Sequence, residues 1–363
     1  MKELKREFLG VGSHSTYPHM NGYSEHGKGL VYRRTQADSQ LLLHRDLESG
    51  NETVLLELNP EDSGGGCWEV ALDAPRLVWV RNNRAEMLDL ENPGSPTEVY
   101  RPPAGNRLDE LCSLTPDGSR LLTRHNSGDR HVAVETDLET GESRELFHHS
   151  WHANHFHYCP HDPEWVGFAH EGWTEDIFDR CWVWHRVYAP RGRTVFDQES
   201  REPGKKLCVG HEHWCYHDVS AYVPAYMHSP AGPRGLYEIF GNGRPPRLRW
   251  ESDTIWHCTM DVTGRHVAVD TAGPFREEPY TEEQYRHYLE IFKRKDAAKE
   301  PMDADVAVLD LETGTSLWLA KAQWTRHPYH PHPAISPDAR WVAWNDSLPE
   351  QKGLWLAELT CND

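Results

Sequence analysis

The chain has 363 residues, 37% hydrophobic and 10% aromatic with 15 tryptophans, enough apolar material for a sizeable core and too much for wholesale disorder. The formal net charge of −19 argues against nucleic-acid binding, which needs a basic surface. It would also repel an anionic sugar at long range unless a basic or metal-centred pocket reversed the field locally.

The first residues, Met1-Lys2-Glu3-Leu4-Lys5-Arg6-Glu7, are charged with no apolar run behind them, so neither a signal peptide nor a membrane-spanning helix is expected. The eight cysteines show no CxxC pair and no repeating spacing, which argues against a disulfide framework or a thiolate zinc site. The expectation is a reduced, cytoplasmic protein that binds no membrane.

One small unit returns along the chain. Asp46-Leu47-Glu48-Ser49-Gly50, Asp89 to Gly94, Asp137-Leu138-Glu139-Thr140-Gly141 and Asp310-Leu311-Glu312-Thr313-Gly314 each follow an apolar run. A second unit precedes one: Thr115-Pro116-Asp117-Gly118, Pro160-His161-Asp162-Pro163, Asp261-Val262-Thr263-Gly264 and Ser336-Pro337-Asp338-Ala339. Both read as hairpin turns. Asp46 and Asp89 are 43 residues apart, Asp89 and Asp137 are 48 apart, and comparable turns follow near Pro190-Arg191-Gly192 and Gly241-Asn242-Gly243. A period of this length with about four short strands is a propeller blade. The count predicts an all-β, seven-bladed β-propeller occupying residues 1–363 as a single domain. An insertion delays Asp310: residues 277–299 carry Tyr285, Tyr288, Leu289, Ile291 and Phe292 at helical spacing, with Thr281 and Gln284 placed as a capping box. This predicts a surface helix bridging two strands of one blade.

Histidine, at 24 residues, is the unusual component. In a propeller, segments distant in sequence converge on the central channel. Asn154-His155-Phe156-His157 places two imidazoles on one face of an extended strand entering the channel, read as hydrogen-bond donors in preference to metal ligands. Ala169-His170-Glu171-Gly172 precedes Asp179-Arg180, whose guanidinium suits bidentate recognition of a carboxylate. Gly210-His211-Glu212-His213-Trp214 resembles half of an HExxH signature, but position 215 is cysteine and no helix is indicated; His211 is a candidate general base. His257 stands before a blade turn. Finally, Arg326-His327-Pro328-Tyr329-His330-Pro331-His332-Pro333 carries three histidines in a segment too rich in proline for a helix. It is either a polar loop facing water or part of a site for a divalent metal.

Taken in order, the segments from His155 to Pro163, His170-Glu171-Gly172, Asp179 to Trp182, Gly210 to Trp214, His257 to Asp261 and His330 to Asp338 resemble those of the oligogalacturonate lyases, cytoplasmic seven-bladed propeller enzymes of pectin breakdown. The resemblance covers most of the chain and is weakest in its first third. It implies a Mn²⁺ site on His257, His330 and His332. The family's fourth ligand, a glutamine, falls on His327, a change that opens the site to Zn²⁺, Ni²⁺, Co²⁺ or Fe²⁺. The resemblance also implies His211 as catalytic base and Arg180 as carboxylate clamp. His155 and His170, on segments that converge with these, are further candidate substrate contacts. His213 and His157 stand where the family has phenylalanine and glutamine. The implied activity is β-elimination on an anionic oligosaccharide of uronic acids. A lyase for another uronate, such as a rhamnosyl-glucuronate or ulvan fragment, and a non-catalytic sugar-binding propeller are the competing expectations.

Overall fold

The computed structural model of the chain describes residues 1–36, 39–59, 64–199, 204–325, 330–348 and 351–360. Its strands form seven antiparallel sheets that follow one another along the chain. These are the blades: residues 13–58, 64–100, 107–149, 153–194, 213–251 and 255–324, then 334–360 completed by the N-terminal strand Lys2–Val11. That strand pairs with Gly353–Thr360, Lys2 opposite Thr360, so the two ends of the chain share the seventh blade and close the ring.

Closure follows from the sequence of the middle strands, which are apolar on both faces. In blade 3, Leu121 packs with Val132 and Val134 toward blade 2, while Leu122 packs with Ala133 toward blade 4. In blade 6, Val267 and Val269 face blade 5 and Ala268 faces blade 7. Alternation along a strand sends neighbouring residues to opposite faces, so each blade buries both faces only between two neighbours. Seven apolar clusters among the described residues lie between the seven pairs of adjacent blades, that of blades 7 and 1 included.

The recurring acidic turns join third strands to fourth strands, and the Pro-Asp turns join first strands to second. At the former the aspartate accepts from backbone amides two or three residues on, as Asp137 Oδ1 does from Glu139 (3.0 Å) and Thr140 (2.8 Å). Gly141 then takes the left-handed conformation (φ 75°) that ends the turn. Because strands alternate in direction, both kinds of turn lie on one face of the disc. One expected turn is misplaced: Pro190-Arg191-Gly192 lies within the strand Ala189–Thr194. The reversal occurs at residues 186–188, where the His185 Nδ1 accepts from Val187 (3.0 Å) and Tyr188 (3.1 Å) in the role aspartate has elsewhere.

The expected helix is Glu282–Ala298. Thr281 and Gln284 exchange the two bonds of a capping box. It lies between the second and third strands of blade 6, hence on the face opposite the turns. Phe292 packs against Met227, Ala272 and Met302, and the Tyr285 hydroxyl donates to the Met227 carbonyl (2.9 Å). No helix among the described residues is long and apolar enough to cross a membrane, and the seven described cysteines are free.

Ring closure is open to measurement on the N-terminal strand, where Leu9 is 3% exposed between blades 7 and 1 and Leu4 is 55% exposed. Leu9→Ala should destabilise the protein by about 2–5 kcal/mol and Leu4→Ala by no more than about 0.5 kcal/mol, read from urea unfolding midpoints. Equal effects would mean that the strand does not seal the ring.

Candidate functional site

The face opposite the turns carries the starts of the innermost strands, and there the histidines meet. His257 sits on Ile255–Met260, the innermost strand of blade 6. His330 and His332 precede Ala334–Ile335, the innermost strand of blade 7. Their ligand nitrogens lie within 4.8 Å of one another, and all three residues are buried. Were this segment extended, alternation would send the His330 and His332 rings to one face. The segment is instead a loop with His332 in left-handed conformation (φ 42°). The amide of Asn345 donating to the Pro331 carbonyl (2.7 Å), and the Thr259 hydroxyl bridging Pro333 and Ile335, hold it in place. His327 lies outside the described residues.

Asp270, fully buried, organises this cluster. Its carboxylate oxygens lie 2.9 and 2.8 Å from the His257 Nδ1, Oδ1 also accepts from the His257 amide (2.8 Å), and Oδ2 accepts from the His332 amide (3.1 Å). A carboxylate at Nδ1 fixes the proton there and leaves the Nε2 lone pair outward, the arrangement found behind metal-bound histidines. The His257 Nε2 is buried and has no hydrogen-bond partner among the described residues. Three imidazoles converging around such an atom fit a divalent cation. The sequence reading missed Asp270; its one signal is an acid closing the apolar run Val267-Ala268-Val269.

The His211 ring lies 4.1 Å from that of His257, centroid to centroid. Its Nδ1 is 3.2 Å from the Trp256 carbonyl and 2.7 Å from the Tyr226 hydroxyl. A carbonyl only accepts, so the tautomer with the proton on Nδ1 satisfies both contacts and makes Nε2 the basic nitrogen. Burial, with His257, His155 and Arg180 close by, pushes this imidazole well below its ordinary pKa, so it is neutral in neutral solution. Burial likewise lowers His213, to about 4, and lowers His157.

Arg180 is buried at the start of the third strand of blade 4, and Gln198 accepts from its amide (2.8 Å). Its fork already holds a carboxylate, that of Glu171, at 2.5 and 3.2 Å. Burial disfavours the guanidinium charge, but Glu212 and Glu171 outweigh it and hold the group above its ordinary value. Burial would similarly raise Glu171, but His155 and Arg180 outweigh it and keep it an anion. The Nε of Arg180 has no hydrogen-bond partner among the described residues.

His155 lies within a register shift between Asn154 and His157 in the innermost strand of blade 4, with φ 54°. The rings of His155 and His157 lie against His19, at 4.3 and 5.2 Å. His170 stands apart from this group, paired with Asp179 (2.7 Å) and packed on Trp151 (4.5 Å). His19 was missed in the sequence, although His14 to His19 is another histidine- and proline-bearing segment. A cavity of about 620 Å³ is lined by Tyr17, Arg33, Cys67, Glu110, His155 and His332 among others.

No protein-family profile matches the chain, and no curated protein does. Solved structures do. An oligogalacturonate lyase in complex with manganese superposes with a TM-score of 0.77 at 19% identity, over 96% of this chain and 91% of that one. The fold is shared with that lyase. A second oligogalacturonate lyase, from Vibrio parahaemolyticus, gives 0.77 at 16% identity over the same shares. The β-propeller domain of the Trilobed protease from Pyrococcus furiosus matches at 0.54 and 10% identity, over 93% of this chain and 95% of that one. These likenesses establish the seven-bladed propeller expected from the turn spacing.

Asp270→Asn tests the role of the buried carboxylate. It should weaken divalent-metal binding by roughly 10- to 100-fold, measured by competition with a chelator, with secondary structure unchanged by circular dichroism. Unchanged affinity would remove Asp270 from the support of the cluster.

Proposed function

We propose that this chain is a metal-dependent lyase that cleaves uronic-acid oligosaccharides by β-elimination, with oligogalacturonate as the first substrate to try. The observation that carries the reading is the neutral, buried His211 4.1 Å from His257, beside a three-histidine cluster and in the same channel as a buried arginine. A divalent ion on His257, His330 and His332, with His327 as fourth ligand, would supply Lewis-acid stabilisation of charge developing on a substrate carboxylate. The protein residues do the rest. Arg180 donates to the same carboxylate, which joins or displaces Glu171 on the guanidinium. The His211 Nε2 takes the proton from the carbon next to the carboxylate. Those electrons form the new carbon–carbon double bond as the bond to the glycosidic oxygen breaks. The leaving oxygen then recovers a proton, from the imidazolium or from water. The Trp256 carbonyl and Tyr226 hydroxyl keep His211 in the tautomer that accepts.

The likeness to oligogalacturonate lyases supports the reaction class. His213 and His157, buried where the resembling family has phenylalanine and glutamine, support testing other uronates alongside.

Metal-loaded protein should turn over at least one member of a panel of oligogalacturonates, rhamnosyl-glucuronates and ulvan fragments, followed by ultraviolet absorbance of the unsaturated product. His211→Ala should lower kcat by about 10²–10⁴-fold and retain its metal. Near-normal turnover in that variant would exclude His211 as the base, and no turnover of any uronate by the wild type would leave a sugar-binding propeller.

A further inference from the structure

A second group of ligand atoms lies in the same channel, with different residues from different blades. His19, His155 and Glu212 are all buried, and one donor atom from each lies within 4.8 Å of the other two. His19 belongs to the segment between Ser13–His14 and Tyr23–Ser24 in blade 1. His155 sits at the bulge in blade 4, and Glu212 immediately precedes His213–Trp214, the innermost strand of blade 5.

Five polar atoms of this group have no hydrogen-bond partner among the described residues, and the remaining one, the His155 Nε2, lies 3.7 Å from Glu171. Glu212 is 1% exposed, and both carboxylate oxygens are buried without a hydrogen-bond partner among the described residues. The His155 Nδ1 approaches it only to 3.5 Å, too long for a good charge-assisted bond. Both ring nitrogens of His19 are buried without partners, as is the Nδ1 of His155. Elsewhere the buried carboxylates of this protein are answered: Asp270 by three donors, Glu171 by the fork of Arg180. A buried carboxylate and two buried imidazoles that converge with so few hydrogen bonds form a costly arrangement in a protein interior. A cation among them would take a lone pair from each.

We propose that His19, His155 and Glu212 form a second divalent-cation site, distinct from that of His257, His330 and His332. Two imidazole nitrogens and one carboxylate oxygen suit Zn²⁺, with a coordination position left for water or a ligand. The two sites share no residue. His211 stands between them, with ring centroids 4.1 Å from His257 and 6.2 Å from His19. An ion at the second site would also tie the blade 1 segment to blades 4 and 5 across the channel. His155 would then serve as a ligand in place of the sugar contact expected from the sequence. The inference does not depend on the lyase reading.

The test is Zn²⁺ stoichiometry on chelator-stripped full-length protein, by elemental analysis after desalting from excess ZnCl₂. Wild type should hold two equivalents. Glu212→Gln and His257→Ala should each hold one, and the double variant none. Cobalt substitution reads the site separately: visible d–d bands that persist in His257→Ala and vanish when His19→Ala is added to it are expected for a low-coordinate N,N,O site. One equivalent in wild type, lost on His257→Ala and untouched by Glu212→Gln, would overturn the second site and leave the first. The converse pattern would sink the first and keep the second. Should Glu212→Gln not fold, anomalous diffraction from zinc-soaked wild-type crystals decides. A peak among His19, His155 and Glu212 supports the site, and its absence beside an occupied His257 cluster overturns it.

Discussion

Every blade has two apolar faces and no helix layer to cover either, so the fold depends on the contact between the first blade and the last. Lys2–Val11 completes the seventh sheet, and Leu9 enters the cluster that joins it to Tyr23, Leu30 and Tyr32 of blade 1. Without that contact two apolar faces would meet water at once. Closure also creates the channel. The spaces between blades are filled mainly by Leu, Val, Ala and aromatic side chains, and carboxylates found there are hydrogen-bonded across the seam, as Glu135 is by the Tyr158 hydroxyl and Glu69 by the Leu114 amide. The histidine groups gather instead at the starts of the innermost strands, around the axis.

The sequence shows the fold more completely than the site, for a physical reason. Turn units such as Asp137 to Gly141 are local: the aspartate caps amides within three residues, so the signal and its cause share one short segment. The helix is legible for the same reason, its capping box spanning Thr281 to Gln284. The reversal at residues 186–188 escapes that reading because a histidine, not an aspartate, caps it. The site is non-local. His257, His330 and His332 stand out from the resemblance, but Asp270, which orients His257 and the His332 amide together, is marked only by its position in an apolar strand. His19 reaches His155 across the channel from 136 residues away, and no spacing rule reports that.

Backbone geometry was equally hidden. His155, His211 and His332 all adopt positive φ, at 54°, 56° and 42°, a conformation that costs an L-residue about 1–3 kcal/mol. All three belong to the groups of histidines around the channel. The bulge at His155 brings its ring and that of His157 both to His19, and the loop at His332 turns its imidazole toward His257 (4.4 Å between ring centroids). The strain is offset by the surrounding hydrogen bonds, among them those that Asp270 and Thr259 make to the loop.

The charges in the channel bear on what can bind there. Among the described residues, Arg180 lies beside the histidines, already engaged by Glu171 with Glu212 close by, and Asp270 adds a third carboxylate behind His257. On the cavity wall Arg33 adds a second guanidinium and Glu110 a fourth carboxylate. Two cations against four carboxylates are a poor receptor for an anionic sugar, and the net charge of −19 adds to the repulsion at distance. His211 does not help, because burial keeps it neutral. On the lyase reading, a uronate would need more positive charge than the described side chains supply. A divalent ion on the His257 cluster brings the account to neutrality, and a second on His19, His155 and Glu212 makes the channel attractive to a carboxylate. On the lyase reading, metal would then be a condition for substrate binding as well as for chemistry.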